Sequence, residues 1–370
     1  MAGAANEQEP GLGEKPRLRR SVARSALGLT LAPMRPAHRL ASTLALTLLA
    51  ALAFTLRPSR CPAAEEAPST NRLARFQRVV MLGDSITYGG RFVEFFEFFA
   101  RTRFPDWRGE ILNLGLPSET VSGLSEPGHA GGEFPRPDLH ERLQRVVAKT
   151  KPDLVIACYG MNDGIYLPLS EERFQEFQSG MTRLHDQVIA SGAQIIHLTP
   201  PTFDPSPGKA ASAGQPNYND VLDRYSDWLL GQRAAGWTVL DIHGPMNRHL
   251  ASGKQQDSAF KLAGDGVHPG DTGHWLMALP LLLYFGAPTN WAALPDLQQL
   301  IGQHPRGVDL LQIIHQKQAL LRDAWLTETG HQRPGLNKGL PLAEAQARAA
   351  KLDARASELV GSDRGSASPH

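Results

Sequence analysis

Five short apolar runs, with helix-like stretches between them, limit the folds open to this chain more than any other feature. They are FQRVVML (76–82), EILNL (110–114), DLVIAC (153–158), QIIHLT (194–199) and TVLDI (238–242). Each has the length and apolar character of a buried strand. RFVEFFEFFARTRF places Phe92, Phe95, Phe96 and Phe99 at i, i+3, i+4 and i+7, one face of a helix suited to packing on a sheet. SEERFQEFQSGMTRLHDQVIASG begins with a serine in the capping position, carries acids in its first turn and ends at Gly192. QPNYNDVLDRYSDWLLGQRAAG is a third amphipathic stretch. Strands separated by helices require crossovers, which are right-handed and cover a parallel sheet on both faces. The pattern predicts an α/β domain over about 76–286, three layers α/β/α, with a central parallel sheet of about five strands.

In such sheets ligands bind beyond the carboxyl ends of the strands. Those ends carry most of the polar and Gly-rich sequence here. The first strand ends in Gly83, Asp84 and Ser85, with Gly89 and Gly90 soon after. The second runs into NLGLPSET (113–120), the third ends in YGMND (159–163), and the fifth is followed by LAGDGVHPGDTGHW (262–275). Ser85 at a strand-to-helix turn has backbone N–H groups beside it to meet developing negative charge. A serine hydroxyl needs a base. His268 supplies one if its loop folds back over Ser85, and Asp265, three residues earlier, can reach the imidazole Nδ1–H. Pro269 restricts the backbone of His268. The side-chain amide of Asn162 can donate to an oxyanion. By residue size, Gly83 lets the backbone turn closely, and Gly89 and Gly90 keep the mouth of the site open. Any one of these motifs is weak alone; together, in this order and at strand ends, they point to nucleophilic acyl chemistry.

Over about 76–286 the sequence resembles the SGNH (GDSL-type) hydrolases. GDSIT fits that family's nucleophile block, GMND (160–163) its Gly-x-Asn-Asp block and DGVH (265–268) its Asp-x-x-His block. The resemblance implies a flavodoxin-like fold, with Ser85 as nucleophile, His268 as base and Asp265 as its orienting acid. It implies an oxyanion site built from the N–H of Ser85 and the side chain of Asn162. One block departs. Where many members have a Gly five residues after the second-block Asn, followed by an acid and a Thr, this chain has Ser118, then Glu119 and Thr120. The donor there is a backbone N–H, so serine can replace glycine where its dihedrals allow. Gly115 is the other candidate; the acid and Thr that follow favour Ser118.

Other residues have plainer readings. His197 lies among Ile and Leu and reads as a packed core histidine; His274 and Trp275 read as packing in the helix after the His268 turn. HPGDTGH invites a metal, but no second ligand cluster has the spacing for one, and no cofactor is expected. Two long Gly- and Pro-rich loops, 122–138 and 200–216, leave strand ends and carry Glu126, His129, Arg136, Asp204 and Lys209. They are either mobile and remote from substrate, or they favour a polar substrate such as an acetylated sugar. Beyond 287, segments 308–326 and 342–360 read as amphipathic helices of an appendage docked on the hydrolase domain. Their connecting bend, with His331 and Arg333, reads as a solvated turn, and 361–370 as a disordered tail.

Residues 1–63 read as an address rather than a fold. An uncharged apolar run over 40–56 follows Arg35 and Arg39, and small residues surround a cleavage site near 61–63. A compact signal would start at Met34 and run over 34–63; an uncleaved membrane anchor is the alternative, and 64–75 form a linker. Only two cysteines are present. Cys61 lies at the proposed cut, where Arg60 fits poorly with lipid modification, and Cys158 lies in the third strand, so no disulfide framework is expected. Residues 1–63 hold nine of the 38 basic residues and three of the 37 acidic ones, which leaves the rest of the chain at −5. That balance gives no footprint for nucleic acid.

The sequence thus predicts an exported (periplasmic or secreted) serine esterase that removes short acyl groups, acetyl foremost, from a carbohydrate or another small polar ester. Membrane contact is expected only through an uncleaved N-terminal segment. The alternatives are a lipase-like esterase for longer acyl chains, an acyltransferase acting on a glycan, and a non-catalytic carbohydrate-binding protein, against which the intact Ser, Asn, Asp and His argue.

Overall fold

In a computed structural model the apolar runs form β1 (Arg78–Gly83), β2 (Glu110–Asn113), β3 (Leu154–Cys158), β4 (Gln194–Leu198) and β5 (Thr238–Leu240). All pair in parallel, in the order β2-β1-β3-β4-β5. Val79 to Leu82 of β1 and every residue of β3 are buried, as a sheet covered on both faces requires. The chain steps from β1 to β2 on one side, then passes back to β3 on the other. Right-handed crossovers in opposite directions place their helices on opposite faces and open a crevice between the carboxyl ends of β1 and β3.

The structure describes residues 72–204, 217–294, 296–302 and 304–362. The expected targeting region, most of the linker, Lys209 with the rest of 205–216, and the tail from 363 lie outside the described residues. Helices α1 (Ser85–Gly89) and α2 (Arg91–Arg103) follow β1, α3 (Leu139–Thr150) follows β2, and α4 (Glu171–Ala190) follows β3. Helix α5 (Tyr218–Gly231) follows β4, and α6 (His243–Gln256) and α7 (Asp271–Tyr284) follow β5. The serine expected to cap α4 does so: the Ser170 hydroxyl accepts from the Arg173 N–H.

Helix α2 is buried on more than the expected Phe face. Phe98, Glu94 and Glu97 are also covered. The reason is the C-terminal segment, which continues through α8 (Gln298–Gly302), α9 (Gly307–Thr329) and α10 (Leu342–Ser362) and belongs to the same compact unit. Helix α9 packs on α2 and along β2, the edge strand, where the Gln318 amide donates to the Ile111 carbonyl at 2.9 Å. Lys317 and Gln318 of α9 and Arg101 of α2 all bond the buried Glu97 carboxylate, as a buried charge demands.

The bend between α9 and α10 is only in part a solvated turn: Gln332, Pro334, Gly335, Asn337 and Lys338 are exposed. His331 and Arg333 are half-buried, and the Arg333 guanidinium lies 5.3 Å from the ring centroid of Phe134 in the loop after β2. A guanidinium is weakly hydrated and is attracted to the face of an aromatic ring.

Candidate active site

Gly83 ends β1 with no room for a side chain: a Cβ there would lie 2.7 Å from the Cys158 carbonyl and 2.1 Å from the Thr87 hydroxyl. The close turn places Asp84 as the cap of α1, its carboxylate accepting from the Ile86 N–H at 2.9 Å. Ser85 follows, partly exposed at the sheet's carboxyl edge. Gly90 has a different task from the one its size suggested. At φ +81° it forms the left-handed cap between α1 and α2, so its need is conformational; space at the mouth is left to Gly89, around which nothing lies within 4 Å of a built Cβ.

The loop before α7 folds back over Ser85. The Ser85 hydroxyl and His268 Nε2 are 2.7 Å apart, and His268 Nδ1 and Asp265 Oδ2 are 2.6 Å apart. The carboxylate is an acceptor, so Nδ1 carries the proton and Nε2 is left to accept from the serine. The other oxygen, Asp265 Oδ1, accepts from the backbone N–H groups of Val267 (2.9 Å) and His268 (2.8 Å). Burial pushes the Asp265 carboxyl upward, but the His268 ring and these N–H groups outweigh it and hold the acid below its ordinary value.

Asp204 braces this loop. Rather than lining a substrate loop, its carboxylate is wholly buried and accepts from Leu262 N–H (2.8 Å), Ala263 N–H (3.3 Å) and Lys254 Nζ (2.7 Å), while its own N–H donates to the Gly266 carbonyl (2.8 Å). An acid in such a site is worth more as a clasp for three donors than it is at a solvated rim.

The loops after β2 and β3 meet at the same place. Leu116 N–H donates to the Gly83 carbonyl at 2.8 Å, and the Asn162 amide donates to the Glu119 carbonyl at 3.2 Å. Ser118 lies between these two contacts at φ +70°, the left-handed conformation that favours glycine. Its N–H and that of Ser85 have no protein acceptor among the described residues. The N–H of Gly115, the other candidate, is already taken by the Asn113 side chain at 2.9 Å. Glu119 is buried and bound bidentately by Arg142, at 2.6 and 2.7 Å, and by the Tyr159 hydroxyl at 2.7 Å. Asp163, next to Asn162, accepts from the N–H groups of Val121, Ser122 and Gly160 and ties the two loops together.

The loop 122–138 is tethered rather than remote. Arg136 is buried, pairs with Glu126 at 2.6 and 2.7 Å, and points a third nitrogen at the Ser118 carbonyl, 3.5 Å away. His129 completes the cluster at 3.1 Å from Glu126. Sequence reasoning missed the roles of Asp84 and Asp163. Burial, partly offset by the Ile86 N–H and by His268, raises Asp84 to about 7. The histidines given plain readings lie in the core: His197 stacks on Trp237 and burial lowers it to about 3, and His274 stacks on Phe92 and is lowered to about 4. Cys158 is buried at the end of β3, and burial pushes its thiol well up.

The model of the GDSL-like lipase/acylhydrolase family matches residues 81–276, more than half of the chain, from the middle of β1 into α7. The chain belongs to that family. Residues 81–276 are thus a GDSL-like acylhydrolase domain, and the match takes in Ser85, Ser118, Asn162, Asp265 and His268. No curated protein matches the sequence. Among solved structures, a gut microbial diltiazem-metabolizing enzyme is similar at 23% identity and a TM-score of 0.48, over 59% of this chain and 48% of its own. This chain therefore spans about half the length of that enzyme. LAE5, an alpha/beta hydrolase from the metagenome of Lake Arreo, Spain, is similar at 25% identity and a TM-score of 0.41, over 57% of this chain and 95% of its own. Axe2, an acetylxylan esterase from Geobacillus stearothermophilus, is similar at 20% identity and a TM-score of 0.41, over the same shares, 57% and 95%.

Proposed function

We propose that this GDSL-like hydrolase is an exported serine esterase that removes short acyl groups, acetyl foremost, from a carbohydrate or another small polar ester. The observation that carries the mechanism is the unbroken contact from Ser85 Oγ through the His268 ring to Asp265, 2.7 and 2.6 Å. Ser85 Oγ attacks the ester carbonyl carbon as its proton passes to His268 Nε2. The carbonyl oxygen becomes an oxyanion, received by the N–H groups of Ser85 and Ser118 and the Asn162 amide. The C–O bond to the alcohol breaks, His268 returns its proton to the leaving oxygen, and the acyl group stays on Ser85. Water then attacks the acyl-enzyme as His268 takes its proton, the acyl C–Oγ bond breaks, His268 returns the proton to Ser85 Oγ, and the acid leaves. Asp265 keeps Nδ1 protonated and stabilises the imidazolium throughout.

The polar substrate is supported by the ionic character of the tethered loop, where Arg136, paired with Glu126, which in turn meets His129, approaches the Ser118 carbonyl. One observation favours the longer-chain alternative: Leu167 and Leu169, five and seven residues past Asn162, are 40% and 48% exposed. A series of nitrophenyl esters separates the two. Steep loss of kcat/KM beyond acetate and propionate is expected; a rise toward octanoate would reverse the choice. His268→Ala should lower kcat by roughly 10³-fold or more with every ester. Export rests on the apolar run over 40–56 behind Arg35 and Arg39. A mature native N-terminus near residue 64 is expected, and one before Met34 would remove the short signal from the account.

A further inference from the structure

An amide donor helps an oxyanion only if its nitrogen, not its oxygen, faces the site. Asn162 is held the right way round by two partners. The Glu119 carbonyl can only accept, so the side facing it must be Nδ2, which donates at 3.2 Å. Oδ1 then faces the Tyr166 hydroxyl, which donates to it at 3.1 Å. Asn162 is buried, and no other partner of its Oδ1 is present among the described residues.

The chain goes out of its way to bring Tyr166 there. Ile165 and Tyr166 both have positive φ, +47° and +54°, and for a β-branched residue such as Ile165 this is a rare conformation. Two successive turns hold the pair, Ile165 N–H to the Asn162 carbonyl (2.9 Å) and Leu167 N–H to the Gly164 carbonyl (3.1 Å). The ring is then gripped by its neighbours. It stacks on Tyr218 at 4.9 Å, whose hydroxyl donates to the Met161 carbonyl at 2.8 Å, and the Arg136 guanidinium lies 5.4 Å from its centroid. Arg136 is the same side chain that approaches the Ser118 carbonyl. Strain maintained by such packing collects where a group must be held in place for function.

We infer that Tyr166 is a positioning residue for the oxyanion site, its hydroxyl fixing the Asn162 amide so that the second Nδ2 hydrogen is presented to the reacting carbonyl oxygen. This rests on the donor role proposed for Asn162. It accounts for the hydroxyl, which packing alone would not require, because a phenylalanine would stack on Tyr218 as well as a tyrosine does.

A double-mutant cycle on kcat and KM with nitrophenyl acetate tests it, using wild type, Tyr166→Phe, Asn162→Ala and the double variant. Phenylalanine keeps the ring and its contacts. Tyr166→Phe should lower kcat roughly tenfold, the worth of about one hydrogen bond, and leave KM unchanged. In the Asn162→Ala background the same change should have no further effect. An equal loss in both backgrounds, an unchanged kcat, or a change confined to KM would overturn the positioning role while leaving Asn162 as donor. An unchanged kcat in Asn162→Ala alone would instead overturn the donor role, and the inference with it.

Discussion

The role proposed for Ser118 belongs to its backbone alone. Its φ of +70° costs an L-residue about 1–2 kcal/mol, and its N–H is the group proposed to receive the oxyanion. Ser118→Gly should therefore stabilise the protein by about 1 kcal/mol, read from the urea midpoint at constant slope, with kcat within about twofold of wild type because the donor is kept. A large fall in kcat would mean that the serine hydroxyl takes part. The positions of Ser85 and Asn162 were legible because each lies in a short motif at a strand end, where a parallel sheet collects its chemistry, and those of Asp265 and His268 because they share one motif, although α6 separates their loop from β5. Asp204 was not. It lies at a strand end too, but its carboxylate turns under the His268 loop to meet the N–H groups of Leu262 and Ala263, a contact nearly sixty residues away in sequence that no local pattern announces. Tyr166 was hidden for a related reason: its reach to Asn162 depends on two left-handed residues that are neither glycine nor asparagine.

Helix α2 is buried by two parts of the chain far apart in sequence. Its Phe92, Phe95, Phe96 and Phe99 stripe was legible from period alone, but the burial of Glu94 and Glu97 depends on α9, more than two hundred residues later. Burial raises Glu97, but Lys317 and Arg101, with the Gln318 amide, overcome it and bring the acid down to about 2. The folded value thus lies below the ordinary 4.5, so this contribution is complete above about pH 4.5 and is lost as pH falls toward 2. Lys317→Met should cost about 3 kcal/mol at pH 7, since it strips a buried carboxylate of one cation while Arg101 remains. The urea midpoint of the variant should also vary less than that of wild type between pH 5 and pH 3. Equal midpoints for the two proteins at pH 7 would show that α9 is held by its apolar face alone.

For the whole molecule, the order β2-β1-β3-β4-β5 matters most, because it puts the crevice between β1 and β3 and so brings the ends of β1, β2 and β3 to one place. The alternation of runs and helices was enough to foresee the parallel sheet, but not that the C-terminal helices would guard its β2 edge or that Arg333 in their bend would reach Phe134 in the loop after β2. Amphipathic periodicity says that a helix has a face to bury, not what will cover it. Ser85 is proposed as the nucleophile of this assembly, activated by His268. Covalent labelling of the intact protein with a serine-directed phosphonate, followed by peptide mass mapping, tests that assignment. A single adduct on Ser85 is expected, lost in Ser85→Ala and slowed by roughly 10³-fold in His268→Ala. An adduct on Ser118 or Ser122, or undiminished labelling of Ser85→Ala, would contradict it.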